Sequence, residues 1–369
     1  MTVSLTSKRA TLMSITSLAA PLGALSIILT PWGQTTAKSL LVEPIRINPP
    51  VWLRLLLGLI VITNIRSTPF AWHIRVLYPA IKAVVRSRSY WSSRSSSALT
   101  HASITPQLKL SCLPLGRDIF SDTSSYTFTA TLDECDWNGH LSNSSYSKSL
   151  DFTRMAHNSA RFLKMYYDGG WVALGGSAFN FHREIPLLAK YKVRMSFESW
   201  DDKWLYVVGR FVSVNRSSSS PKETSSATEK LEQGETLYCT SISRYVCKAG
   251  RRTIPPWLVI ATSGYGTRPE TRSNWEKAEL LRVSYLEKER QAYRAKTGKH
   301  TISKKADAKL VKKAALLRQF RTESERKGTQ DEAWMSKSYW GLDEWETRRK
   351  EGFERLSVSV GTLPAVEKS

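Results

Sequence analysis

Residues 132–154, LDECDWNGHLSNSSYSKSLDFTR from Leu132 to Arg154, decide the fold by the order of their features. Just upstream, Tyr126, Phe128, Ala130 and Leu132 alternate with Thr127, Thr129 and Thr131, the period of a half-buried strand. An acidic turn containing Cys135 follows and passes through Asn138-Gly139-His140. Ser142, Asn143 or Ser144 then supplies a helix cap. Tyr146, Leu150, Met155, Phe162, Leu163 and Tyr166 recur at helical spacing up to Asp168-Gly169-Gly170, where Gly169 is the natural stop. The predicted order is strand, polar turn, long helix. Asp136, His140 and Asn143 all fall at the turn, where the unbonded N–H groups of a helix start can face a ligand oxygen.

Working outward, strands are expected over Ala178–Glu184 and Tyr191–Phe197, the latter with Tyr191, Val193, Met195 and Phe197 on one side. Trp204–Val214 is more continuously apolar, as suits a strand covered on both faces. Asp201-Asp202-Lys203 supplies the turn before it. Residues 215–235 are poor in apolar side chains and predict a disordered hairpin insertion. Leu237–Cys247 resumes as a last strand, and Gly250 with Pro255-Pro256 ends the domain.

Asp136-x-x-Gly139-His140-Leu141-x-Asn143-x-x-Tyr146 resembles the signature of the hot-dog-fold acyl-CoA thioesterases. Asp151-Phe152-x-Arg154 is most similar to the branch containing thioesterase superfamily member six and its fungal relatives. Matching phrases follow in order at His182–Tyr191, Trp200–Tyr206 and Gly250–Pro256, so the likeness runs from about Tyr126 to Leu258. The resemblance implies an α+β hot-dog fold, an antiparallel sheet wrapped around a long central helix. It implies acyl-CoA or another acyl thioester as substrate, no cofactor or metal, and a homodimer or higher homo-oligomer with the site at the interface. Asp136 is then the nucleophile or general base, with His140 and Asn143 placing water or the thioester oxygen. Gly139, Leu141, Tyr146 and Asp151 would contact substrate, the N–H groups of Gly139–Leu141 polarising its carbonyl.

Each of these residues also has a plainer reading. Aspartates before helices most often cap turns, and Asn143 is an ordinary N-cap residue. His140 can be a packed histidine bonded to backbone. Asp151 can pair with Arg154 or Lys148 along the helix, and Arg183 with Glu184 can form an ion pair or a strand-edge pair.

The formal charge of +22 is unevenly spread. Residues 1–117 carry +12 with Glu43 their single acid, residues 118–264 carry +2, and residues 265–369 carry +8. Positive flanks around a near-neutral middle favour an anionic surface over a basic active-site groove. No zinc-finger spacing, RNP-like strand or recognition helix supports nucleic acid as a partner. Cys112, Cys135, Cys239 and Cys247 lack CxxC spacing and predict reduced thiols. Neither an HExxH set nor a G-x-S-x-G elbow occurs.

The domains predicted are a basic, apolar region over 1–107, a hot-dog domain over 108–262 and a charged helical extension over 263–369. Within the first, Leu12–Trp32 has the makings of a targeting or membrane-contacting segment. Val51–Ile65, about 15 residues with Arg54 near one end, is short of the roughly 20 a span needs. Aromatic and basic residues after it suit a lipid–water boundary. Membrane attachment is the expectation, with a buried helix as its alternative; Ser92–Ser103 is the expected linker. Asn143-Ser144-Ser145 is a glycosylation acceptor sequence inside the candidate site. A working site there is compatible with a non-lumenal face of the endoplasmic reticulum or mitochondrial membrane. In the extension, Trp334, Trp340 and Trp345 predict packing on the core or on a partner.

Overall fold

The computed structural model describes residues 50–92, 113–214, 231, 234–325 and 332–359. The run Leu12–Trp32, the Ser-rich stretch past residue 92 and residues 215–230 of the expected insertion lie outside these. The chain divides into two compact units between Ile62 and Thr63. In the first, helix α1 (Val51–Thr63) buries none of its residues, which overturns the alternative of a packed core helix. Its 13 residues rise about 1.5 Å each, well under the roughly 30 Å of a hydrocarbon core. Among the described residues no helix is long and apolar enough to cross a membrane.

The second unit is built on one antiparallel sheet. Its strands are β1 (Ser124–Thr129), β2 (Gly170–Phe181), β3 (Lys190–Trp200), β4 (Trp204–Ser213), β5 (Leu237–Ala249) and β6 (Arg252–Ile254). They lie in the order β1-β3-β4-β5-β2, with β6 beside β5. Helix α2 (Ala71–Ser92) precedes the sheet, and the long helix α3 (Asn143–Arg161) crosses one face of it. The crossing is tight at Gly209 of β4. A Cβ there would stand 2.9 Å from Leu150 of α3 and 2.6 Å from Ser241 of β5. Only a glycine lets a helix side chain come so near the strand.

The extended run of β4 is explained by what covers it. Val207 and Phe211 join Leu150 and Tyr146 in the main core. Tyr206 and Val208 face the other way, against Phe353 and Leu356 of a C-terminal helix, α9 (Asp343–Ser359). Gly352 of α9 rests on the carbonyl of Glu198 in β3, where no side chain would fit. Along the chain α4 (Leu163–Tyr167) precedes β2, and α5 (Pro256–Ser263), α6 (Pro269–Thr297), α7 (Lys304–Lys313) and α8 (Leu316–Glu325) follow β6.

Trp334, Trp340 and Trp345 are all buried. Trp345 Nε1 donates to Asp118 Oδ1 at 3.0 Å and Arg348 grips the same carboxylate, tying the loop before β1 to α9. In the interior, Arg282 bonds Asp168 at 2.5 Å and Glu279 at 2.7 Å, while Lys164 Nζ reaches Asp168 at 3.2 Å. Burial alone would push the Asp168 carboxyl up, but Arg282 and Lys164 hold it below the usual carboxylate range.

Several boundaries depart from expectation. The long helix stops at Arg161, Phe162 leaves helical geometry, and α4 is a separate turn of helix. β2 begins at Gly170 rather than Ala178, directly after Gly169, whose φ of +84° makes it the stop. Leu132 is exposed in a single 3-10 turn over Leu132–Glu134 rather than facing inward on β1. Beyond Gly250 the chain goes on to pair as β6 before the fully buried α5.

Candidate active site at the head of α3

The turn before α3 is a small closed hairpin. Cys135 bridges to Leu141, Asp136 N–H donates to His140 O at 2.8 Å, and Gly139 N–H returns to Asp136 O at 3.1 Å. Gly139 sits at φ +77°, which the reversal requires. The His182–Tyr191 phrase pins this hairpin from outside. Leu141 N–H donates to Ile185 O and Leu187 N–H to Gly139 O, each at 2.8 Å.

Asp136 is exposed. Its Oδ1 accepts from the Asn138 N–H at 2.9 Å and the His140 N–H at 3.3 Å. Oδ2 has no hydrogen bond among the described residues. One carboxylate oxygen is thus anchored and the other left open. The N–H groups of Gly139 and His140 are engaged by Asp136 and that of Leu141 by Ile185 O, so in this structure the donors expected there are not open to a ligand. Ser142 is the N-cap of α3, its hydroxyl turned to Ser144 and Ser145 rather than capping the backbone. The helix start leaves the N–H groups of Asn143 and Ser144 without intrahelical acceptors.

His140 lies 3.1 Å by Nδ1 from the Glu184 carboxylate, a close contact not aligned as a hydrogen bond. Glu184 therefore faces His140, and not Arg183 as the sequence suggested. Exposed Asn143 stands on the first turn of α3. Tyr146 is buried between the rings of Phe181, 5.1 Å away edge-on, and Phe211 at 4.9 Å. It forms the wall between turn and sheet. Asp151 is about two helical turns further on and pairs with Arg154 at 3.3 Å. Arg154 continues to Ser243 at 3.0 Å and Ser177 at 2.6 Å. The structure thus brings Asp136, Gly139, His140, Leu141 and Asn143 together, and sets Asp151 apart at β2.

Glu134 is a buried carboxylate two residues before Asp136, and the sequence did not mark it. It receives Arg66 at 3.1 Å, Lys148 at 3.4 Å and Arg75 at 3.6 Å. Ser67 adds a hydrogen bond to Asp133 at 3.0 Å. The segment leading into α2 thereby clamps the strand-to-turn corner that carries the site. The three described cysteines, Cys135, Cys239 and Cys247, are free thiols. Among the described residues no group of His, Cys, Asp and Glu is placed to hold a metal ion.

Residues 130–258 match the family model of the thioesterase-like superfamily. Thioesterase poxG of Penicillium oxalicum is 27% identical over 286 residues, covering 71% of this chain and 87% of that protein. The probable thioesterase YBR096W of Saccharomyces cerevisiae is 31% identical over 165 residues, 44% of this chain and 64% of its own length. Protein THEM6 of Xenopus laevis is 30% identical over 109 residues, 29% of this chain and 52% of that protein. The matched span takes in the hairpin of Asp136, α3 and strands β2 to β6. Over that span the chain is similar to the thioesterase-like superfamily.

Proposed function

We propose that this chain hydrolyses acyl thioesters, acyl-CoA foremost, while attached to a lipid surface and paired with a second copy. The observation that carries the reading is the Asp136 carboxylate, held by Oδ1 on two backbone N–H groups with Oδ2 open at the head of α3. A carboxylate so fixed attacks the thioester carbonyl or takes a proton from the attacking water, and the CoA thiolate leaves. The N–H groups of Asn143 and Ser144 meet the developing oxyanion, aided by the positive end of α3. His140, paired with Glu184, orients water beside it.

Asp136 is exposed, and among the described residues β2 is a sheet edge with strand pairing on one side only. A second copy along that edge would complete the site. For attachment, the support is the apolar surface of α1 and α2, each rich in exposed Leu, Ile and Val, together with the positive charge of residues 1–117.

The test is release of free CoA from a panel of acyl-CoAs by the full-length protein and by Asp136→Asn. At least a hundredfold loss in the variant, with unchanged circular dichroism, is expected. Equal turnover would remove Asp136 from the mechanism. A parent that binds acyl-CoA and hydrolyses none of the panel would instead support a non-catalytic acyl-chain binding or scaffolding role, the reading favoured by the engaged N–H groups of Gly139–Leu141.

A further inference from the structure

The inner side of α2 roofs an open cavity of about 320 Å³ above β1 and α3, at the lower end of the roughly 300–1,000 Å³ of small-ligand clefts. Its wall is apolar, with Ile74, Tyr78, Pro79, Phe128, Phe152 and Ala156 prominent. Among the described residues Arg75 alone brings a charge to it.

Arg75 is incompletely satisfied there. Its guanidinium lies 3.9 Å over the Phe152 ring, and Nη1 is buried without a hydrogen-bond partner. Glu134 stands 3.6 Å away, beyond hydrogen-bond reach, and is shared with Arg66 and Lys148. Asp133, in the field of Lys148, is the other carboxylate of the group, so three cations face two acids. Pro79, inside the same helix, lacks the N–H that would bond the Arg75 carbonyl. Burial lowers the Arg75 pKa, Glu134 opposes that in part, and Arg66 adds to it. A further anion would pair Nη1 and offset the excess of positive charge.

We propose that this cavity binds a single-chain aliphatic carboxylate, its head group accepting from Arg75 Nη1 and its tail lying against Ile74, Tyr78, Phe128 and Phe152. The site is distinct from Asp136. Its roof comes from α2, which precedes the thioesterase-like span of 130–258. It is linked to the candidate active site through the Arg75–Glu134 pair, two residues before Asp136, and through α3. If the hydrolytic reading holds, the ligand is of the class that reaction releases; the cavity does not depend on it.

Calorimetric titration of the full-length chain with decanoate, below its micelle concentration, tests the proposal. Decanol and decyltrimethylammonium serve as head-group controls. One saturable decanoate site is expected. Arg75→Gln should weaken it about tenfold or more, the loss of a charge-assisted hydrogen bond. Ala156→Leu, which fills the cavity, and Ile74→Asp, at an exposed rim position that leaves folding intact, should weaken it as much. Asp136→Asn should bind decanoate like the parent. Affinity unmoved by Arg75→Gln and Ile74→Asp, or equal affinity for decyltrimethylammonium, would overturn the proposal. Loss of decanoate in Asp136→Asn alone would overturn it too, by placing decanoate in the thioesterase site.

Discussion

Arg66 and Glu134, 68 residues apart in the chain, meet at 3.1 Å beneath the corner that leads to Asp136. The same Arg66 Nη1 donates to Thr129 O at 2.8 Å, so one guanidinium ties the end of β1 to the turn. Glu134→Gln leaves three neighbouring cations without their common anion. A loss of about 3 kcal/mol in urea denaturation is expected, with thioester hydrolysis falling further than stability because the turn is released. Arg66→Met, which leaves Glu134 two other cations, should cost less; a cost equal to that of Glu134→Gln would count against the clamp.

Gly209→Ala places a methyl 2.6 Å from Ser241 Oγ, 2.9 Å from Leu150 and 3.0 Å from the Met195 sulfur. Overpacking of this kind costs about 1–3 kcal/mol. The melting temperature should fall, and α3 should lift from the sheet, read as a rise in hydrogen exchange along residues 146–154.

His157 is fully buried and kept neutral, its pKa pushed well below the ordinary value by burial and by Arg161; Ser124 lies 2.8 Å from Nδ1. The unfolded chain takes up a proton at this residue below pH ~6.5, and the folded chain does not. Stability from this residue is therefore complete above that pH and falls as the medium is acidified towards the lowered folded value. The slope is up to ~1.4 kcal/mol per pH unit. Urea midpoints at pH 7.5, 6.5 and 5.5 should show the fall, and His157→Gln should flatten it.

Vesicle flotation checks lipid attachment. Full-length protein should float with phosphatidylcholine–phosphatidylserine vesicles and less with phosphatidylcholine alone. Salt should weaken the first, since surface potential carries part of the attraction. Leu55→Asp on α1 and Ile81→Asp on α2 replace exposed apolar side chains and should each reduce recovery in the floating fraction. Equal recovery for parent and both variants would exclude these helices from the contact.

Leu174 is half exposed on β2. Leu174→Asp sets a charge at that margin without entering the core. Sedimentation should show a halved mass relative to the parent, with hydrolysis lost in proportion. A parent already sedimenting as one copy would refute pairing outright.

Much of this arrangement is written locally. Tyr191, Val193, Met195 and Phe197 alternate because one face of β3 is core, and Asp201 closes the next turn by accepting from Lys203 and Trp204 N–H groups. The hairpin of Asp136 is equally local, since Gly139 and Asn138 are turn residues with little else to do. The first part of β2, ahead of the strand expected from Ala178, was hidden because Gly175 and Gly176 interrupt its alternation at a register shift between Leu174 and Gly176. Leu132 misled because the alternation of β1 runs three residues past its last ladder pair, Thr129 with Lys190. The role of Glu134 was out of reach, since its partners Arg66 and Arg75 lie far upstream, in a segment whose apolar neighbours suggest only lipid. Glu184 was assigned to its neighbour Arg183 for want of any sign that His140 folds back to it.

The bond from Trp345 to Asp118 has a consequence for biosynthesis. Ribosomes deliver position 118 long before 345, so the loop leading into β1 waits for 227 further residues before its partner emerges. Until then the back of β4 has no cover, and a nascent chain halted anywhere short of α9 exposes Tyr206, Val208 and Ile242 to chaperones. A premature stop codon late in the message should therefore yield not a trimmed enzyme but a substrate for proteolysis.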